Sequence, residues 1–163
     1  MSDTGSGNDG LQLRHRLLLR LVHPVQFFLR GMTLGVRAAC FNERGEVFLV
    51  RHTYVPGWYL PGGGVERGET AMQALLKELR EEGNLEPVST PVLFHAYFNH
   101  RVSRRDHVLL YRAEVRQTAP RPADREIAES GFFDPERLPE NATKATRLRL
   151  DEIRGLQPPP DHW

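Results

Sequence analysis

Residues 61–85 read PGGGVERGETAMQALLKELREEGNL, and no other segment restricts the possible folds as much. Gly62, Gly63 and Gly64 open backbone conformations that residues with a β-carbon avoid. Such a loop lets backbone approach a ligand closely and presents N–H groups or carbonyls to it. A helix is predicted from Thr70 to about Glu82, with Thr70 as N-cap and no Pro or Gly before Gly83. At about 100° per residue, Met72, Leu75, Leu76 and Leu79 share one side and form a core-facing stripe. Glu78, Glu81 and Glu82, spaced i, i+3 and i+4, fall beside that stripe. Like charges at those spacings repel by a few tenths of a kcal/mol per pair. The last turn of a helix disfavours each anion by a further ~0.3–1 kcal/mol. Two readings stand for this cluster. It is a solvated acidic face softened by Lys77 and Arg80, or a carboxylate set that binds a cation. The adjacent glycine run, with Glu66 and Glu69 near the same end, favours the second. A hard divalent cation such as Mg²⁺ takes oxygen ligands and keeps some waters. Together with phosphate oxygens it would neutralise the cluster.

The flanking chain reads as strands. Val36–Phe41, the turn Asn42–Gly45 and Val47–Arg51 form a hairpin pattern. Residues 57–60 make a short strand leading into the glycines. Val88–His100 and Asp106–Val115 are two longer strands around an arginine-rich turn (Arg101, Arg104, Arg105), and Gly131–Phe133 is a short one. A second helix is expected over Ala142–Arg154, closed by Gly155 and the Pro158–Pro160 run. Mixed strands with two well-separated helices predict an α/β fold in which helices cover both faces of a mixed sheet.

Gly63, Glu69 and the run Lys77-Glu78-Leu79-Arg80-Glu81-Glu82-Gly83-Asn84-Leu85 closely resemble the Nudix box, G-x5-E-x7-R-E-U-x-E-E-x-G-U, where U is bulky and apolar. The spacing is intact. Lys77 replaces the box arginine and Asn84 the second box glycine. The hairpin before the box, Trp58-Tyr59-Leu60-Pro61-Gly62-Gly63, and Phe132-Phe133-Asp134-Pro135 followed by a helix are also similar to Nudix domains. The resemblance implies a Nudix-type α/β/α sandwich over residues 31–156. It implies hydrolysis of a diphosphate linkage in a nucleoside diphosphate joined to another moiety, such as a nucleotide sugar, an ADP-ribose-like compound or an NTP. The alternative it leaves is a nucleotide-binding or regulatory module that keeps the fold and has lost activity. By the resemblance, Glu78, Glu81 and Glu82 would hold Mg²⁺ or Mn²⁺, with the Gly63 carbonyl as a further ligand and Glu69 in support. The base would be a box glutamate, Glu126 or Glu129, with Glu126 placed first because it lies deeper in its loop. Lys77 keeps the charge of the box arginine but loses its planar fork. Asn84 suits the left-handed residue at which the helix ends.

The remaining residues carry weaker signals. Gly62 and Gly63 are candidates for substrate contact. Arg51 is a candidate for substrate phosphate or for a surface ion pair, and Arg101 for steering a polyanion or for a solvated turn. His95, His100 and His107 lack zinc-ligand spacing and read as structural. The 163 residues suffice for one domain, and the net charge of +1 argues against a long nucleic-acid partner. A small phosphate-bearing nucleotide is the expected partner. That balance hides an acid-free stretch between Asp9 and Glu43 and six glutamates between Glu66 and Glu86. Residues 1–10 are expected to be disordered, 11–30 to be a basic amphipathic helical segment, and 157–163 a tail. Residues 11–30 suit packing on the domain or a second copy in a homodimer more than a membrane surface. The single cysteine, Cys40, excludes an internal disulfide and fits a cytoplasmic setting.

Overall fold

Alternation along two adjacent strands sets the layers. In β1 (Thr33–Phe41), Val36, Ala38 and Cys40 face one side of the sheet, and Ala39 with Phe41 the other. In β2 (Val47–His52), Phe48 and Val50 join the first side, Val47 and Leu49 the second. Buried apolar residues on both sides of these strands mean that both faces are covered. In the computed structural model, which describes residues 31–163, two helices do this. α1 (Ala71–Gly83) lays Ala74, Leu75 and Leu79 on the first face, and α2 (Lys144–Ile153) lays Leu150 on the second. Met72 packs at the edge of the first cluster and Leu76 is half-buried. The expected α/β/α sandwich is the observed fold. The segments expected at 1–10 and 11–30 lie outside the described residues.

The remaining strands are β3 (Leu85–Pro87), β4 (Val92–Phe98), β5 (Asp106–Gln117) and β6 (Ile127–Phe133). The sheet order is β3-β5-β1-β2-β6, with β4 also paired to β5. β1 and β5 run parallel and the other pairs antiparallel, so the sheet is mixed. The strand expected at Val88–His100 forms only over Val92–Phe98: Val88 N–H still donates to Glu114 O (2.9 Å), and residues 89–91 then leave the ladder between β3 and β4. Pro91 has no N–H to give it. Gly131–Phe133 is the end of a longer β6.

β1 and β2 meet only at Phe41↔Val47 and then diverge. The segment 58–65 fills the gap. Tyr59 exchanges two backbone hydrogen bonds with Val50, both 2.9 Å. On the other side, Ala38 N–H donates to Pro61 O (3.0 Å), Val36 N–H to Gly63 O (2.8 Å) and Val65 N–H to Leu34 O (2.8 Å). The glycine run is therefore stitched into the sheet.

Residues 157–163 are docked. Phe98 N–H donates to Asp161 O (2.8 Å), Trp163 N–H to Phe98 O (3.2 Å), and Trp163 packs in the second core cluster. The Arg149 guanidinium lies 4.3 Å from the Tyr97 ring and 5.2 Å from that of Trp163. It pairs with buried Glu152 at 2.6 Å, and the Tyr97 hydroxyl donates to the same carboxylate at 2.7 Å. Among the described residues, no helix is long and apolar enough to cross a membrane.

α1 starts on a capping box. Thr70 Oγ1 accepts from Gln73 N–H (3.2 Å) and Gln73 Oε1 accepts from Thr70 N–H (2.8 Å). Thr70→Ala removes one half of that exchange, and a loss of about 1 kcal/mol is expected. Chemical denaturation would measure it, and an unchanged midpoint would show that the cap contributes nothing.

Candidate functional site

α1 ends as its sequence requires. Asn84 adopts φ 51° and ψ 38°, and its N–H closes on Arg80 O at 3.0 Å. Its side chain does more than a glycine could. The Asn84 amide donates to Pro120 O (3.2 Å), and Arg121 Nε donates to Glu81 O (2.6 Å). The loop before β6 is thus tied to the C-terminal end of α1. Thr53 holds its far end: its N–H donates to Glu126 O (2.9 Å) and its hydroxyl to Arg125 O (2.6 Å).

Between these supports, Glu82 is buried against the glycine run. Gly62 N–H donates to its Oε2 at 2.7 Å. Gly62 has φ +140°, and a β-carbon there would overlap Val36 O. A β-carbon on Gly63 would overlap the carboxylate of Glu78. Gly62 is required because the β1 backbone occupies the space a side chain would need, and a side chain at Gly63 would displace the Glu78 carboxylate. Gly63 O already accepts from Val36 N–H, which leaves it one lone pair.

The structure brings Glu78, Glu82, Gly62 and Gly63 together. Glu81 follows on the exposed rim. Among the described residues, no three carboxylate, imidazole or thiolate groups converge on one point as a complete metal-ligand set. A cation here would complete its shell with water or phosphate oxygens, as Mg²⁺ commonly does. The donors fit such an ion: they are hard oxygens, and their negative charge is held partly out of water. Burial raises the Glu82 pKa to about 7, against the pull of Gly62 N–H and Arg37, and with a further push from Glu78 and Glu126. Burial and the neighbouring Glu81 also raise the pKa of Glu78.

Glu126 stands exposed at the same place, where its charge adds to the rise of the Glu78 and Glu82 pKa values and opposes the fall of that of His52. Glu129 lies elsewhere: it pairs with Arg51 at 2.9 Å across the β2–β6 register. The Arg51 guanidinium is 6.0 Å from the ring of Trp58, which belongs to the second core cluster. By strand alternation it faces away from His52, so it does not join the glutamates. Arg101 stands on the exposed turn between β4 and β5. Lys77 pairs with Glu66 (3.4 Å) and Glu69 (3.5 Å). Glu69 Oε1 also accepts from Glu66 N–H at 2.6 Å, so both glutamates brace the loop that enters α1.

Two site residues escaped the sequence reading. Arg37 donates to the carbonyl of Gly62 and to that of Leu60 (3.4 Å), so it grips the peptide groups on either side of the one whose N–H binds Glu82. Nothing local marks it, because its partners lie more than 20 residues away. His52 is buried with Nε2 at 3.7 Å from Glu82 Oε1. Burial and the Arg37 charge lower its pKa, against Glu126. Alternation with Phe48 and Val50 was the signal that could have found it.

The family model for the NUDIX domain matches residues 31–152. The chain is 42% identical over 63 residues to an RNA pyrophosphohydrolase of Hydrogenovibrio crunogenus, covering 39% of this chain and 38% of that protein. It is 39% identical over 77 residues to an RNA pyrophosphohydrolase of Halorhodospira halophila, covering 46% and 42%. These matches span less than half the length of those relatives. Among solved structures, a MutT NUDIX hydrolase from Burkholderia pseudomallei superposes with TM-score 0.63 at 24% identity, covering 74% of this chain and 97% of that one. An ADP-ribose pyrophosphatase from Streptococcus suis gives TM-score 0.58 at 23% identity, covering 80% and 95%.

The raised Glu82 pKa makes a prediction about stability. Its folded value, about 7, lies above the ordinary 4.5. The associated stability is therefore present below pH 4.5 and is lost as pH rises through 7. Relative to Glu82→Gln, the metal-free protein should lose on the order of 3 kcal/mol across that window. Denaturation curves at a series of pH values would measure the difference, and a constant difference would contradict it.

Proposed function

The chain belongs to the NUDIX family, and from that membership we propose that it hydrolyses a diphosphate linkage in a nucleoside diphosphate derivative. The observation that carries this reading is the joint placement of Gly62, Gly63, Glu78 and Glu82, in which a backbone strand meets two partly buried carboxylates. Glu78, Glu81 and Glu82 are the residues that would hold Mg²⁺ or Mn²⁺, with the free lone pair of Gly63 O as a further donor. A bound divalent cation supplies positive charge to the diphosphate oxygens and makes water more acidic.

The chain's own residues account for the rest. Gly62 N–H fixes the orientation of Glu82, and Arg37 holds the peptide groups that flank that N–H. Water attacks phosphorus, the P–O bond of the anhydride breaks, and two phosphate-terminated products leave. Glu126 takes the proton from the attacking water. Its exposure and its field at Glu78 and Glu82 support that role, whereas the pairing of Glu129 with Arg51 occupies the other candidate. The names of the sequence relatives add RNA to ADP-ribose, nucleotide sugars and NTPs as substrates to be assayed.

Phosphate release with Mg²⁺ across that panel tests the activity, and no turnover of any member would overturn it. Glu82→Gln should lower kcat by at least about 100-fold with an unchanged circular dichroism spectrum, because Gln still accepts from Gly62 N–H. Near-wild-type turnover would remove Glu82 from the site. Glu126→Gln should lower kcat while Glu129→Gln does not, and the reverse pattern would exchange their roles.

A further inference from the structure

The turn between β4 and β5 places three arginines on one short stretch of surface. Arg101, Arg104 and Arg105 are all exposed, and among the described residues no carboxylate pairs with any of them. Arg44, Arg51, Arg116 and Arg154, by contrast, each hold a glutamate at 2.7–2.9 Å. Asp106 is the one acid in residues 99–106, and it is already occupied. Its two carboxylate oxygens accept from the Thr33 hydroxyl and the Asn99 amide, each at 2.7 Å.

Hydrogen bonds hold the turn in shape. Val102 N–H and Ser103 N–H both donate to Asn99 O (3.1 and 3.3 Å), Asp106 N–H donates to Ser103 O (3.1 Å) and Arg105 N–H to Ser103 Oγ (3.2 Å). Thr33 N–H donates to Arg105 O at 3.0 Å, which ties the turn to the first residue of β1. Val102 stands among the arginines at 74% exposure, the most exposed large apolar residue among those described. An apolar side chain held out in water beside unpaired cations adds nothing to the steering of a small anion. The boundary between lipid headgroups and acyl chains would bury it, while the flanking arginines meet lipid phosphates. Single-stranded nucleic acid also offers phosphates, but its binding surfaces add stacking aromatics, and residues 101–105 hold none.

We propose that Arg101, Val102, Arg104 and Arg105 dock the protein on an anionic membrane surface. The sequence of residues 11–30 favours the same partner. It carries Arg14, Arg16, Arg20 and Arg30 among leucines, with no acid, and the chain runs on from it to Thr33, the residue bonded to the turn. Composition alone suited that segment to packing on protein more than to a membrane. A turn of unpaired arginines at the start of β1 reverses the preference. Three arginines alone give weak attachment; with the four in residues 11–30 they reach the cluster size that holds anionic lipid. The docking needs no divalent cation, so it stands apart from the diphosphate reading.

The test is co-sedimentation of the full chain, in EDTA, with vesicles of phosphatidylcholine alone or mixed equally with phosphatidylglycerol. The wild type should sediment with the mixed vesicles only, and added salt should release it. Arg101→Gln, Arg104→Gln and Arg105→Gln together should weaken binding by about 100-fold, roughly fivefold for each arginine, and melt at the wild-type temperature. The same three positions changed to Lys should keep the affinity, because a surface potential reads charge rather than the planar fork. Val102→Ser should weaken binding several-fold. No sedimentation of the wild type, or equal sedimentation with both vesicles, would overturn the proposal. Wild-type affinity of the Gln variant would overturn it by assigning attachment to residues outside the turn. Loss of binding in the Lys variant would mark a specific phosphate site instead. Tighter binding of a single-stranded RNA oligomer, with the same dependence on the three arginines, would reassign the turn to nucleic acid.

Discussion

The hydrogen bond from Gly62 N–H to Glu82 joins the two parts on which the site depends. It can form only because β1 and β2 separate after one residue pair and admit the segment 58–65 between them. That insertion turns a glycine loop into a sheet element of fixed position. α1 then lies against the same face, through Leu75 and Leu79, and brings Glu78 and Glu82 to the inserted backbone. Replacing either glycine would force the strand away from Val36 or the carboxylate away from Gly63. Packing and chemistry therefore impose the same requirement at these two positions.

The electrostatics follow from that packing. A carboxylate under a backbone strand loses water, and one N–H and one guanidinium only partly replace it. The resulting strain on the ionised form is what a bound cation would relieve. The basic residues near the cluster divide the work. Arg37 holds the glycine backbone and opposes the rise in pKa of Glu78 and Glu82, while Lys77 holds Glu66 and Glu69 at the entrance to the helix. Asn84 likewise has its own use: its backbone ends the helix, and its amide anchors the loop that carries Glu126.

The periodic parts of the chain were legible from sequence. The apolar stripe of α1, the Thr70 cap, the left-handed Asn84 and the two-sided strands follow from local geometry. So does the mixed sheet between helices. The break at residues 89–91 was missed because apolar residues on either side of Pro91 concealed it. The docking of the 157–163 tail was not legible because its only signal is Trp163, which acquires meaning from Tyr97 and Arg149.

Sequence by itself determined which carboxylates and glycines share a motif, since helical and loop geometry act over a few residues. It also determined where α1 begins and ends. Tertiary structure alone decided which distant groups meet them. Arg37 and His52 reach Gly62 and Glu82 through the splitting of the sheet, and Glu126 stands beside them because Thr53 is bonded to residues 125 and 126. Arg51 and Glu129 were equal candidates as charges in a sequence. Strand alternation and register paired them with each other and away from the glutamates, because a side chain's face is set by its neighbours across the sheet.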